Sequence, residues 1–342
     1  MLVRAMPDPL ALALTPHIGP KRLLQALSTD LSLKAVTECL GPEIASAYGK
    51  TLASGLAEKE REQAARLGLR LIGLWEDSYP EALRHLESPP PVLYLKGELP
   101  PSPRTIAIVG TRKASPWATA WTQKVAHELA EAGIGIISGL ALGIDAAAHK
   151  GALAGSGYTL GVLGSSLDRF YPPQNRTLAE QMHLLSEFPL GTPPQPGHFP
   201  RRNRIVAALA QAVLVVEAGE KSGSLITARF AAELGRDVLA VPGRPSDPQS
   251  VGCNQLIRDG AGLVMNAEDV LGALGVLART KQSMPLEGLE AQVYRALLEL
   301  SEALPDDLAQ ATGLSASEVL STLTLLEIKG LVQEMAGRYS PV

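Results

Sequence analysis

Thr105-Ile106-Ala107-Ile108-Val109-Gly110-Thr111-Arg112 sets the pattern on which the rest of the chain is read. Its apolar run stops at a glycine, and a polar cluster follows at once. The same succession recurs at Ser138-Gly139, Leu163-Gly164, Ser186-Glu187, Val216-Glu217 and Val241-Pro242, with helix-like segments between the runs. Repeated strand–loop–helix units between Thr105 and Ala261 predict an α/β fold: a Rossmann-like, mostly parallel sheet covered on both faces. Ligands of such sheets bind beyond the carboxyl ends of the strands. The polar clusters therefore line one edge of one sheet, and their glycines, serines and arginines suit a phosphate-bearing ligand.

The 342 residues allow one full α/β domain and smaller flanking ones. We expect a helical domain of the SAM or helix-hairpin-helix kind over 1–68, an extended Rossmann-like domain over 69–279 and a winged-helix-like domain over 286–342. In the first, Leu10–Leu14 followed by Thr15-Pro16-His17-Ile18-Gly19-Pro20-Lys21-Arg22-Leu23-Leu24 reads as helix, glycine turn, helix. Such a hairpin either packs as plain core or offers backbone N–H groups to a phosphate. In the last, Leu289–Leu300, a helix opened by Asp306-Asp307, and Glu318–Lys329 precede a short hairpin at Gly330-Leu331-Val332 and Gly337-Arg338-Tyr339. Pro100–Pro103 and Thr280–Pro285 read as connectors.

No apolar run reaches the roughly 20 residues of a membrane helix, and Met1–Asp8 lacks a secretory pattern. A cytoplasmic protein is expected, without membrane contact. Cys39 and Cys253 have no metal-ligand or disulfide spacing and read as reduced thiols. Net charge is −4, but Lys and Arg outnumber Asp and Glu by 15 to 12 over 104–260, against 3 to 9 over 286–342. The basic face belongs to the central domain. With one lysine and two glutamates between Ser315 and Lys329, the third helix of the winged-helix segment suits protein contact or self-regulation better than DNA reading.

Five clusters carry the chemistry. After the first strand, Gly110-Thr111-Arg112 lacks both the Gly-x-Gly-x-x-Gly dinucleotide turn and the P-loop lysine. Arg112 faces the ligand crevice, where a guanidinium can hold a phosphate and stack on a base. Ser138-Gly139-Leu140-Ala141 leads into a helix near Gly143 carrying Asp145 and His149 one turn apart. That pair reads as an acid–base couple or a structural Asp–His pair, and no nucleophile accompanies it. Asp168-Arg169-Phe170-Tyr171 with Asn175 mixes charge and rings as single-strand binders do, although either ring could be core. Phe199-Pro200-Arg201-Arg202-Asn203-Arg204 is the densest positive cluster, and no carboxylate lies between Phe188 and Val216 to neutralise it. Ser222-Gly223-Ser224 is an anion cradle or a helix cap.

These motifs in this order resemble the DNA-processing protein A family (DprA, also called Smf). The match runs from Tyr79-Pro80 and Leu93–Gly97 through Val109–Arg112, Ser138–Ala141, Tyr171-Pro172, Ser186-Glu187, Arg202–Ile205, Ser222–Leu225 and Val241–Gly243 to about Asp269. The resemblance implies a single-stranded-DNA-binding protein without catalysis or cofactor that loads the RecA recombinase during natural transformation. It also implies a homodimer built through the Rossmann-like domain. The implied DNA site is Gly110, Arg112, Ser138, Gly139, Arg169, Tyr171, Asn175, Arg202, Asn203 and Arg204, with Ser222, Gly223 and Ser224 as a phosphate cradle. Two departures stand out: Trp117-Ala118 in place of Tyr-Gly, and Ser165-Ser166 where a second glycine is usual. The alternative is a phosphoribohydrolase-type enzyme on a related sheet. Its Pro-Gly-Gly-x-Gly-Thr-x-x-Glu motif is missing, and with it the catalytic acid.

Overall fold

A computed structural model describes residues 7–102, 104–276, 286, 288–328, 331–335 and 337–341. The expected connector Thr280–Pro285, the N-terminal residues 1–6, Pro103, and Lys329 with Gly330 lie outside the described residues. The chain divides into two compact units, 1–278 and 279–342.

Nine strands form the sheet of the first unit: β1 (Leu69–Gly73), β2 (Val92–Lys96), β3 (Thr105–Val109), β4 (Gly135–Ser138), β5 (Thr159–Leu163), β6 (His183–Ser186), β7 (Ala212–Val215), β8 (Asp237–Ala240) and β9 (Gly262–Leu263). Their order is β1-β2-β6-β5-β4-β3-β7-β8-β9. From β6 through β9 every neighbouring pair is parallel. β1 and β2 add an antiparallel margin beside β6.

Burial on both faces explains the unbroken apolar strands. In β3, Ile106 and Ile108 face one core and Ala107 and Val109 the other, and all four are buried. Before the sheet come five helices, α1 (Pro9–Ala13), α2 (Pro20–Leu27), α3 (Leu33–Leu40), α4 (Pro42–Ala53) and α5 (Leu56–Arg66). The short α6 (Glu81–Arg84) lies between β1 and β2. The crossovers are α7 (Pro116–Glu131), α8 (Ile144–Ala154), α9 (Arg176–Glu180), α10 (His198–Ala208), α11 (Ser224–Glu233) and α12 (Val251–Arg258), and α13 (Ala267–Ala273) follows β9. Val125 and Leu129 of α7, Ile144 of α8 and Val270 of α13 cover the Ile106 face. Ile205 and Val206 of α10, Ala228 of α11 and Cys253 of α12 cover the other.

The N-terminal helices have a core around Leu12, Leu23, Val36 and Tyr48, and it continues into Val92 and Tyr94 of β2. One buried carboxylate ties the two parts. Glu60 Oε1 of α5 accepts the Tyr94 hydroxyl at 2.7 Å and the Leu190 N–H at 2.8 Å. Asp8 and Arg61 form a two-pronged ion pair at 2.7 Å beside it.

The second unit is the winged helix that the sequence predicts: α14 (Gly288–Leu300), α15 (Pro305–Thr312), α16 (Ala316–Ile328) and the hairpin of β10 (Val332–Met335) with β11 (Arg338–Pro341). Val319, Leu323 and Leu326 of α16 pack on Val293, Leu297 and Leu308. The opposite face of α16 exposes Ser317, Leu320, Ser321, Thr324 and Leu325 alongside Glu318 and Glu327.

Removing the Tyr94 hydroxyl tests the tie between helices and sheet. Tyr94→Phe leaves Glu60 buried with one donor fewer, a loss of about 1–3 kcal/mol. Urea unfolding should show that loss at an unchanged m-value. Wild-type stability in the variant would mean that Glu60 does not hold the two parts together.

Candidate functional site

β4, β5 and β6 build out to one side of β3, and β7, β8 and β9 to the other. The sheet therefore has a topological switch point between β3 and β7, and a crevice opens above their carboxyl ends. It is a cleft of about 610 Å³. Gly110, Thr111 and Arg112 after β3 and Gly139 and Ala141 after β4 form one wall. Phe199, Arg202 and Asn203 of α10 and Ser222, Gly223 and Ser224 at the start of α11 form the other, with Tyr171 at the rim.

The rim combines charge and rings. The Arg112 guanidinium lies 5.1 Å from the centre of the Phe199 ring, a cation–π distance. Tyr171 lies 5.8 Å from the same ring, tilted by 50°, and is exposed. Phe170 instead packs against the core around Leu163 and Leu178.

The floor is Arg202, only 4% exposed. One guanidinium nitrogen donates to the carbonyls of Gly139 (2.6 Å) and Val162, and Nε donates to Asn203 Oδ1 at 3.2 Å. Burial pushes its pKa down to about 10, opposed by Asp145 and assisted by Arg112. Gly139 permits this approach: a Cβ there would stand 2.3 Å from Arg202 Nη2 and 2.7 Å from Asp145 Oδ2. Asp145 accepts the N–H groups of Gly139 (3.1 Å) and Ala141 (3.3 Å), and burial raises its pKa against the pull of Arg202. Between those N–H groups Leu140 sits at φ +55°, unusual for a residue with a side chain. Asn175 braces the same turn by donating to the carbonyls of Leu140 (3.0 Å) and Ala141 (3.1 Å).

Two sequence expectations need correction. Asp145 and His149 are not partners. Asp145 faces the Gly139–Ala141 turn and Arg202, while His149 Nδ1 meets Thr159 Oγ1 at 2.7 Å. The arginine cluster is also not free of carboxylates. Glu187, just outside the stretch that lacks them, pairs with Arg204 at 2.5 Å and Arg201 at 2.8 Å. The sheet brings the end of β6 under α10, which sequence distance does not show.

The remaining expected residues fall into two groups. Gly110, Arg112, Gly139, Tyr171, Arg202, Asn203, Ser222, Gly223 and Ser224 line the cleft. Ser138 is buried with its hydroxyl on Ile108 O, and Arg204 is buried on Glu187. Asn175 is interior, and Arg169 is exposed beside Asp168 at 4.0 Å. The Ser222 and Ser224 hydroxyls meet each other at 2.8 Å, with Gly223 at the N-cap of α11. Phe199, which the sequence shows only as the neighbour of the arginine cluster, is the ring that both Arg112 and Tyr171 approach. Among the described residues, no group of three His, Cys, Asp or Glu side chains is placed to hold a metal.

Comparison with known proteins places this geometry. A family model described as DNA recombination-mediator protein A matches residues 70–275, and one described as DprA winged helix domain matches 278–338. The chain is 38% identical to Protein Smf of Synechocystis over 307 residues, 77% of each protein. It is 45% identical to DNA processing protein DprA of Streptococcus pneumoniae over 206 residues, 58% of this chain and 72% of that protein. The crystal structure of the S. pneumoniae protein superposes with a TM-score of 0.68 at 34% identity, covering 76% of this chain and 95% of that one. DNA processing protein A of Helicobacter pylori, whose solved structure concerns its single-stranded DNA binding mode, superposes with a TM-score of 0.55 at 32% identity, covering 60% and 95%.

His149 gives the site's support a pH dependence. Burial, then Arg202, pushes its pKa down to about 3, against about 6.5 in an unfolded chain. As pH falls, the unfolded state binds the proton first. The contribution of the neutral ring is complete above about pH 6.5 and falls by about 1.4 kcal/mol per unit below it. Urea unfolding at about pH 7.5 and about pH 5 should show that slope reduced in His149→Asn, which can still meet Thr159. Equal slopes in the two proteins would mean that His149 is not held neutral.

Proposed function

Because the chain belongs to the DNA recombination-mediator protein A family, we propose that its arginine-lined cleft binds single-stranded DNA. The observation that carries this reading is the Arg112–Phe199–Tyr171 rim above the buried Arg202. Guanidinium groups meet phosphates and exposed rings meet base faces, and both kinds of contact are indifferent to sequence. We assign the direct contacts to Gly110, Arg112, Gly139, Tyr171, Arg202 and Asn203, with Ser222, Gly223 and Ser224 as the phosphate cradle at the α11 N-terminus. Ser138, Asn175 and Arg204 support that surface from within. Arg169, exposed beside Asp168 and not among the residues lining the cleft, is the outlying contact of the proposed set.

The bound strand is handed to a RecA-type recombinase, with no reaction catalysed and no cofactor required, in a cytoplasmic setting. The family's description as a recombination mediator supports this step. Among the described residues no helix is long and apolar enough to cross a membrane. A homodimer through the Rossmann-like unit is the second partner we propose. The β9 margin, last in the strand order among the described residues, suits it: Leu263 and Met265 are exposed there, and Trp121 Nε1 reaches Met265 O at 3.2 Å. An apolar strand edge of this kind is stable when a second copy covers it.

Fluorescence anisotropy with oligo-dT at several salt concentrations tests the cleft. Affinity should fall as salt rises, and Arg112→Ala should lower both the affinity and the salt slope, the latter by about 0.7. Salt-independent binding, or a folded Arg112→Ala protein with an unchanged slope, would move the site elsewhere. Sedimentation velocity tests the dimer. The wild-type chain should sediment as a dimer and Met265→Asp as a monomer, whereas a wild-type monomer would refute the pairing.

A further inference from the structure

Glu217 lies at the end of β7, 6% exposed, with no place in the contacts assigned above. It holds the β3–α7 loop twice. Its main-chain carbonyl accepts the Thr111 N–H at 2.7 Å, and its side-chain Oε2 accepts the Ser115 N–H at 2.8 Å. Ser115 is the N-cap of α7, its hydroxyl accepting from Ala118 N at 3.1 Å. The Thr111 carbonyl is held in turn by the Ile144 N–H at 3.3 Å. Between the pins at Thr111 and Ser115 stand Arg112 and Lys113, both exposed. Inside that span the Lys113 N–H makes a local contact, donating to Thr111 Oγ1 at 3.2 Å.

We infer that Glu217 is a positioning residue for strand binding, fixing through Ser115 the loop that aims Arg112 over Phe199. The inference rests on the reading of the cleft as a single-strand site. The geometry gives the carboxylate this role because it reaches the loop from the neighbouring strand, across the switch point. Main-chain pairing alone would fix the loop at Thr111 and leave its far end to the helix cap. With the second pin, the two exposed cations span a segment closed at both ends, and the Arg112 guanidinium meets its ligand already oriented.

This role has a sign that simple electrostatics does not share. Removing a negative charge near bound phosphates strengthens binding if charge alone matters. Removing a pin weakens it. Glu217→Ala should therefore lower oligo-dT affinity by about tenfold, the scale of one hydrogen bond to a charged group, and reduce the salt slope by about 0.7. Glu217→Gln, whose amide oxygen can still accept from Ser115, should bind within about twofold of wild type. In an Arg112→Ala background Glu217→Ala should add little, since both changes remove one contact.

Should Glu217→Ala not fold, Ser115 offers the same test from the other side. Its φ of −65° and ψ of 155° accommodate proline. Ser115→Pro removes the N–H that Glu217 holds, and Ser115→Ala keeps it while losing the cap. Only Ser115→Pro should reproduce the loss of affinity and slope. Tighter binding by Glu217→Ala, full additivity with Arg112→Ala, or equal effects of the two Ser115 changes would overturn the inference. A wild-type chain that binds no oligo-dT would instead overturn the reading of the cleft, and that measurement comes first.

Discussion

Burying a guanidinium under a ligand cleft is costly unless its N–H groups find acceptors. Arg202 meets that condition with carbonyls from the ends of two neighbouring strands, Gly139 after β4 and Val162 in β5, while Asp145 stands beyond the same turn. Much of the local sequence follows from this one arrangement. Position 139 must lack a side chain, because a Cβ would strike both the guanidinium and the Asp145 carboxylate. The turn after it bends sharply enough to put Leu140 at positive φ, and Asp145 and Asn175 satisfy its N–H and carbonyl groups. Gly143, at φ +77°, lets the start of α8 pass so close to Thr111 and Arg112 that a Cβ would lie 2.3 Å from Thr111 O. The floor of the cleft and the loop that carries Arg112 are thus parts of one packed structure.

The sheet was legible because its central strands are buried on both faces. Runs such as Ile106–Val109 and Ala212–Val216 have no polar alternation to confuse them with surface strands, and each ends at the residue where the polar cluster begins. The winged helix was legible from the stripe of Val319, Leu323 and Leu326. What the sequence hid were contacts made by sheet order. Glu187 follows β6 and Arg204 sits on α10, and their pairing depends on β6 lying where α10 crosses. Asp145 invited a partner four residues on, because local spacing is all a sequence displays, and its neighbours came from the β4 turn and α10 instead. Glu60 and Tyr94, which join helices to sheet, belong to elements with no shared pattern. Asn175 stands in sequence beside the charged and aromatic residues of its loop, and only the fold shows its amide donating to the carbonyls of the Leu140–Ala141 turn.

Net charge was a poor guide for a related reason. Over 104–260 the excess of cations is small, but the charges are not equally placed. Asp145, Glu187 and Glu217 are buried, facing arginines or backbone N–H groups, as are Arg202 and Arg204. Three of the twelve carboxylates are thereby withdrawn from the surface, against two of the fifteen cations. The field around the cleft is set by what remains outside, and Arg112 stands at its lining with the exposed Lys113 next to it in sequence. The winged helix shows the converse. The helix that reads DNA in repressors needs cations and amides on its outer face. On α16 that face carries serines, a threonine and two leucines alongside Glu318 and Glu327, and no arginine or lysine among its described residues. Sharing that architecture with DNA readers does not make it one. The groups that suit phosphate lie instead at the switch point of the sheet, where buried carboxylates hold the β4 turn, the arginines and the β3–α7 loop in place.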